Sequence, residues 1–302
     1  MSTVAERAAR PAHYELGRLR RLARSPMGRL LRKIPFWLLI AIIFVYALFP
    51  FYWAIRSAFT PDGEQFNTPI KYFPAHPTLT NFREVLSTPN FQHALANSTI
   101  VAASVTLLSL FVGSLAAFAL GRFRFRGRSA VLYLMLSMTI FPQIAILGAL
   151  YTLISNYHIY NSLKALILSY LIFTLPFTIW VLTSFMRALP GDLEEAAYVD
   201  GATPLQVFYK VLLPLIAPGL VTTGLLAFIA SWNEYLLASE LSSERTQPVT
   251  VAIANFTGSV PHEEPWTTVM AAGTIVTIPL IILVLILQRR IVAGLTAGGV
   301  KG

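Results

Sequence analysis

The chain contains no cysteine, which excludes disulfide bonds, thiolate metal sites and thiol nucleophiles. Charge is scarce as well: Asp, Glu, Lys and Arg make up only 12% of 302 residues, and just 14 are acidic. With 55% hydrophobic residues and a mean hydropathy of +0.63, the chain lacks the polar surface of an ordinary water-soluble globule. Enzyme signatures are missing too. There is no His-Glu-x-x-His and no Gly-x-Ser-x-Gly, and His13, His76, His93, His158 and His262 are dispersed, so neither a catalytic nor a metal site is expected. The terminal Lys301-Gly302 pair is not a Walker A loop, which needs Gly-Lys-Ser/Thr after a strand.

What is present is lipid-compatible sequence. Charge-free stretches run from Ile34 to Ile55, Ala94 to Gly121, Ser129 to Leu163, Ala165 to Met186, Val211 to Asn233 and Pro265 to Gln288. Each exceeds the ~20 residues that cross a bilayer core as helix, which predicts an all-α integral membrane protein with six spans. The third stretch leaves room for a loop around Asn156 to Asn161. Lys and Arg number nine in residues 1–33, four in 122–128, two in 187–210 and three after Gln288, eighteen of the 23. The positive-inside rule then places both termini and the Glu195 region in the cytoplasm. The net charge of +9 is therefore topological and does not indicate a nucleic-acid-binding face. The chain thus divides into a basic tail 1–33, a six-span transmembrane domain 34–288 and a second tail 289–302. No cleavage pattern precedes the first span, which reads as uncleaved. Within the first tail, Leu16, Leu19 and Leu22 among arginines fit either a basic helix on anionic lipid or a charged disordered segment.

The most specific pattern lies between the fourth and fifth spans. Asp192 with Glu195, and Thr203 with Pro204 and Gln206, each predict a helix start, and Gly201 sits where the first helix must turn. Ala196 and Ala197 leave one stretch almost without side-chain bulk. The series Glu195-Ala196-Ala197, Asp200-Gly201-Ala202, Leu213-Pro214 and Pro218 resembles the EAA loop of permease subunits of bacterial ABC importers, here spanning 188–217. The resemblance implies a type I importer permease fold, with Glu195, Ala196, Ala197, Asp200, Gly201, Ala202, Leu213 and Pro214 coupling it to ATPase subunits. It further implies two such subunits, a homologous second permease and an extracytoplasmic binding protein. No cofactor is expected in this chain, since ATP and Mg would be held by the partner ATPases. A location in the plasma (inner) membrane follows. The tail from Gln288 to Gly302 resembles that of the MalG-type subunit of maltose and trehalose importers. That likeness implies ATPase contact through Gly294, Leu295, Thr296, Gly298 and Lys301, and a disaccharide such as trehalose or maltose as cargo.

Other features stay open at the level of residue types. Ser109, Gly113, Ala117 and Gly121 form a small-residue strip for close helix approach, with intrachain packing as the default. Pro50, Pro142, Pro176 and Pro279 permit bends in four other spans. Trp232, Asn233, Glu234 and Tyr235 place the most polar cluster at membrane depth. The cluster fits either a sugar-contacting stretch of the translocation pathway or an aromatic belt with an interfacial glutamate. The family precedent for maltose assigns most sugar contacts to the partner permease. The stretch Phe59–Gln92 resembles the first external loop of sugar-importer permeases and fits a binding-protein dock or a passive lid. Two sequons, at Asn97 and Asn255, carry no assigned role. The rival function is an ion- or proton-coupled secondary transporter, which would show charged residues deep in several spans.

Overall fold

Hydropathy decides most of the architecture, because a helix is the form in which an apolar segment satisfies its own backbone in lipid. The computed structural model describes residues 26–256 and 265–299, with side chains from 33 to 256 and 265 to 288, and no strand occurs among the described residues. The basic helix expected near Leu16 lies outside them. A first unit covers Met1–Arg56 and a second Ser57–Gly302. Helix α1 (Pro26–Ala58) starts inside the stretch read as tail and runs through Pro35 and Pro50 without interruption. Near its end Phe49 stacks on Trp53 at 6.0 Å, and the Arg56 guanidinium lies 5.0 Å from the Trp53 ring centre.

The second unit follows as α2 (Thr80–Ser87), α3 (Pro89–Arg122), α4 (Arg128–Ile140), α5 (Gln143–Asn156) and α6 (Leu163–Ala188). Then come α7 (Asp192–Val199), α8 (Pro204–Leu215), α9 (Ala217–Trp232), α10 (Leu236–Leu241), α11 (Val249–Ala254) and α12 (Trp266–Gly299). Among the described residues four helices are long and apolar enough to cross a membrane, and two bent pairs bring the spans to six. Pro142 does produce a bend: α4 and α5 meet at 97° around it. Pro176 and Pro279 lie inside unbroken helices, so these two do not act as breaks. The other sharp bend, 76° between α8 and α9, falls at Ile216, between Pro214 and Pro218. There α8 also carries a π-helical stretch, Val207–Leu212. A π register redirects side chains within one turn, and it brings Val207, Phe208 and Leu212 into the core.

The small-residue strip of α3 packs within the chain, against α6. Ser109 Oγ lies 2.9 Å from Thr174 Oγ1. A Cβ added at Gly113 would stand 2.8 Å from Thr178 Cγ2, and one at Gly121 would stand 2.8 Å from Met186 Cβ. The four-residue rows 109, 113, 117, 121 and 174, 178, 182, 186 therefore interlock, and small side chains let the backbones meet without a hydrophobic driving force in lipid. Helix α9 lies over this pair, with Gly219 against the Phe185 ring and Gly224 against Leu110.

Two polar anchors shape the end of the bundle remote from α7. Asn81 is 2% exposed, and its amide donates to Ala58 O at 2.9 Å and Thr60 O at 2.8 Å, which pins α2 beneath the 59–79 loop. Asn97 donates to Arg245 O at 3.0 Å and Gln247 O at 3.2 Å, while Ser98 Oγ accepts from Val249 N at 2.8 Å. The segment 243–249 is thereby fastened to the start of α3.

Candidate functional site

The hairpin α7–α8 is built by its own caps. At the end of α7, Ala202 N donates to Ala197 O and Gly201 N to Tyr198 O, both at 3.0 Å, a Schellman closure centred on Gly201. Gly201 has φ of 82°, a conformation that costs a residue with a Cβ. Thr203 and Gln206 form the expected capping box: Thr203 N donates to Gln206 Oε1 at 2.7 Å, and Gln206 N donates to Thr203 Oγ1 at 3.4 Å. One expectation fails. Asp192 is the first helical residue of α7, not its cap; Gly191 occupies the cap position in αR backbone and no side chain accepts there. Asp192, Glu194 and Glu195 instead place three carboxylates in the first turn, where the helix dipole favours negative charge.

Ala196 and Ala197 do not present one smooth face. Ala196 is exposed, whereas Ala197, like Ala202 and Leu213, packs against Phe118 of α3, Leu182 and Met186 of α6, and Val207, Phe208, Leu212 and Ile216. The root of the hairpin is thus continuous with the α3–α6–α9 core, and Phe118 and Phe208 meet at 5.1 Å. Its exposed surface includes Leu193, Glu195, Ala196, Tyr198, Val199, Asp200, Leu205 and Tyr209, with Val199 88% and Leu205 62% exposed. Val199 and Leu205 were not singled out from sequence, because the apolar count of a short helix does not say which way each side chain points.

A charge pair ties this hairpin to α3. Arg122 Nε lies 2.6 Å from Glu194 Oε1, with its N–H not directed at the oxygen, and Arg122 Nη2 donates to Leu189 O at 3.0 Å. Both side chains are largely shielded, at 12% and 14% exposure, so solvent screens the pair less than a surface one.

The second candidate region lies at the other end of α9, and its four residues face different surroundings. Trp232 is 1% exposed and stacks on Phe228 at 5.5 Å. Asn233 is exposed and its amide donates to Ile229 O at 3.0 Å, closing α9. The Glu234 carboxylate accepts from Leu237 N at 2.7 Å and Ala238 N at 3.0 Å, capping α10, and its backbone carbonyl accepts from Thr250 Oγ1 at 2.7 Å. Tyr235 is 47% exposed. Of the C-terminal positions, Gly294, Leu295, Thr296 and Gly298 lie on the helical extension of α12, and Lys301 lies outside the described residues. Among the described residues no cluster of metal-ligating side chains occurs.

Residues 109–296 match the family described as binding-protein-dependent transport system inner membrane component. The chain belongs to that family, and its fold is that of a type I ABC importer permease. It is 40% identical over 275 residues to the trehalose transport system permease protein SugB of Mycobacterium tuberculosis, covering 90% of this chain and 99% of the relative. It is 42% identical over 268 residues to the trehalose/maltose transport system permease protein MalG of Thermococcus litoralis, covering 88% and 94%. A sulfoquinovosyl glycerol transport system permease protein of Agrobacterium fabrum is 37% identical, covering 87% and 92%. Among solved structures, a bacterial ABC transporter involved in import of the acidic polysaccharide alginate superposes with a TM-score of 0.75 at 22% identity, covering 88% of this chain and 98% of that one.

Proposed function

We propose that this chain is the transmembrane subunit of an ATP-driven importer that carries a sugar, of the trehalose or maltose type, across the plasma membrane by alternating access. The observation that carries the reading is the self-capped α7–α8 hairpin, which exposes Ala196, Val199 and Leu205 while its root packs into the spanning core. Exposed apolar residues outside lipid call for a protein partner. In this reading the partner is one of two ATP-binding subunits, which supply ATP and Mg. The family and the sugar-related names of the relatives support the same assignment, and the eighteen inner-side cations favour cytoplasmic termini. The assembly is completed by a homologous permease and an extracytoplasmic sugar-binding protein.

Mechanically, Glu195, Ala196, Asp200 and Gly201 form the contact end of a lever. Ala197, Ala202, Leu213 and Pro214 form its root. A pull on the hairpin reaches α3 and α6 through Phe118, Leu182 and Met186, and α9 through the bend at Ile216, so ATPase closure turns the spans as packed bodies. The extension of α12 through Gly294 and Gly298 gives a second ATPase contact. Asn233 and Tyr235, the exposed members of the α9 cluster, would meet the cargo. Reconstitution with the cognate binding protein and a panel of labelled disaccharides tests the cargo: ATP-dependent uptake of one of them is expected, and uptake without nucleotide sinks the importer reading in favour of an ion-coupled carrier. Copurification with a nucleotide-hydrolysing subunit is expected alongside.

A further inference from the structure

We propose that the recess between the α3–α4 turn and the last turn of α6 binds a phosphate-bearing anion, at this depth the headgroup of an anionic phospholipid. The recess has a volume of about 490 Å³ and is lined by Arg124, Arg128 and Arg187 together with Gly127 and Ser129. Three guanidinium groups from two separate segments thus share one open cavity. Neither ion pair formed by a neighbouring arginine or histidine, Arg122 with Glu194 or His76 with Glu64, takes in any of these three guanidinium groups.

Their bonds to protein use only part of what they can donate. Arg128 donates to Phe123 O at 3.3 Å and Gly121 O at 3.2 Å, and Arg187 to Leu120 O at 3.4 Å. Each guanidinium carries five N–H donors in a planar fork that matches phosphate oxygens. Like charges held around one cavity repel, and an anion between them converts that repulsion into attraction. The first turn of α4 opens from Gly127 onto the same recess and adds backbone N–H groups without intrahelical acceptors.

Depth selects the lipid. The recess lies where the apolar spans α3, α4 and α6 all end, flanked by Phe123 and Phe125, each 47% exposed. A basic pocket between spans at this boundary is suited to a phospholipid headgroup whose acyl chains run along the adjoining helices. Free phosphate offers the same oxygens without the chains. Because α6 leads through residues 189–191 into α7, an occupied recess would brace the base of the hairpin against the α3–α4 turn.

The test is lipid retention by the full-length chain, delipidated and returned to phosphatidylglycerol or phosphatidylcholine of matched acyl chains, read by native mass spectrometry. Wild type should retain phosphatidylglycerol in preference, and Arg124→Gln with Arg187→Gln should lose about fivefold of that preference per arginine removed. The Lys pair at the same positions should keep part of it, and Arg83→Gln on α2 should change nothing. Arg124→Gln alone, at an exposed position, keeps the measurement readable if the double variant does not fold. Displacement by millimolar inorganic phosphate with no acyl dependence supports the anion site and assigns it to a soluble source. Equal retention of both lipids without a phosphate effect overturns the proposal, as does a preference unchanged in the Gln variants.

Discussion

Two short helical insertions, α7–α8 at one end of the bundle and α10–α11 at the other, are held by opposite means. The first takes its backbone shape from contacts within fifteen residues, the turn at Gly201 with Ala202 N on Ala197 O and the Thr203–Gln206 box, while its apolar root and Glu194 join it to α3 and α6. The second is fastened across the chain, by Asn97 to residues 245 and 247, by Ser98 to Val249 and by Asn161 Oδ1 to Ser243 N and Thr246 Oγ1. A segment that makes its own shape can be pulled as one piece. A segment whose shape depends on distant neighbours stays with them. If the hairpin is the part that is pulled, it differs from the anchored 243–249 segment in where its hydrogen bonds go, rather than in helix content.

The self-closed hairpin is most sensitive at Gly201. Gly201→Val forces a β-branched residue to φ of 82° and should abolish sugar-stimulated ATP hydrolysis by the reconstituted assembly while the chain still inserts; unaltered stimulation would remove the lever from the mechanism. Next in size is Asn97→Ala, which leaves the carbonyls of Arg245 and Gln247 unpartnered and should cost about 2–4 kcal/mol. Protease cleavage within 243–248 should accelerate severalfold, with the hairpin amides unaffected in hydrogen exchange. Glu194→Gln weakens the charge pair with Arg122 and should lower thermal stability by about 1–2 kcal/mol, with little dependence on salt because both groups are shielded. Thr203→Ala removes one half of the capping box, with an expected loss of about 1 kcal/mol seen as faster exchange at Gln206 N. The smallest effect is expected at His158, where φ is 55°: His158→Gly should raise the melting temperature slightly, and a fall would show that the side chain is needed there.

Much of the fold was legible before any coordinates. The six charge-free stretches correspond to α1, α3, the α4–α5 pair, α6, the α8–α9 pair and α12, because span length depends only on local hydropathy. Gly201 and the Thr203 box were legible for the same reason, since caps act over three or four residues. Asp192 was misread because Asp is as welcome at the first helical turn as at the cap, and only backbone geometry separates the two. Asn97 looked like part of a chance sequon, and nothing near it in the chain points to carbonyls 148 and 150 residues away.

Sequence by itself determined that this chain lives in lipid, how many times it crosses, and that a capped hairpin interrupts it between the fourth and fifth crossings. Those properties are sums over neighbours along the chain. Tertiary structure alone decided that Ala196 faces out while Ala197 faces in, that the 109–121 strip meets α6, and that Arg124, Arg128 and Arg187 surround one cavity. Such facts depend on which distant segments pack together, and packing is settled by shape and van der Waals contact between helices that are equally apolar.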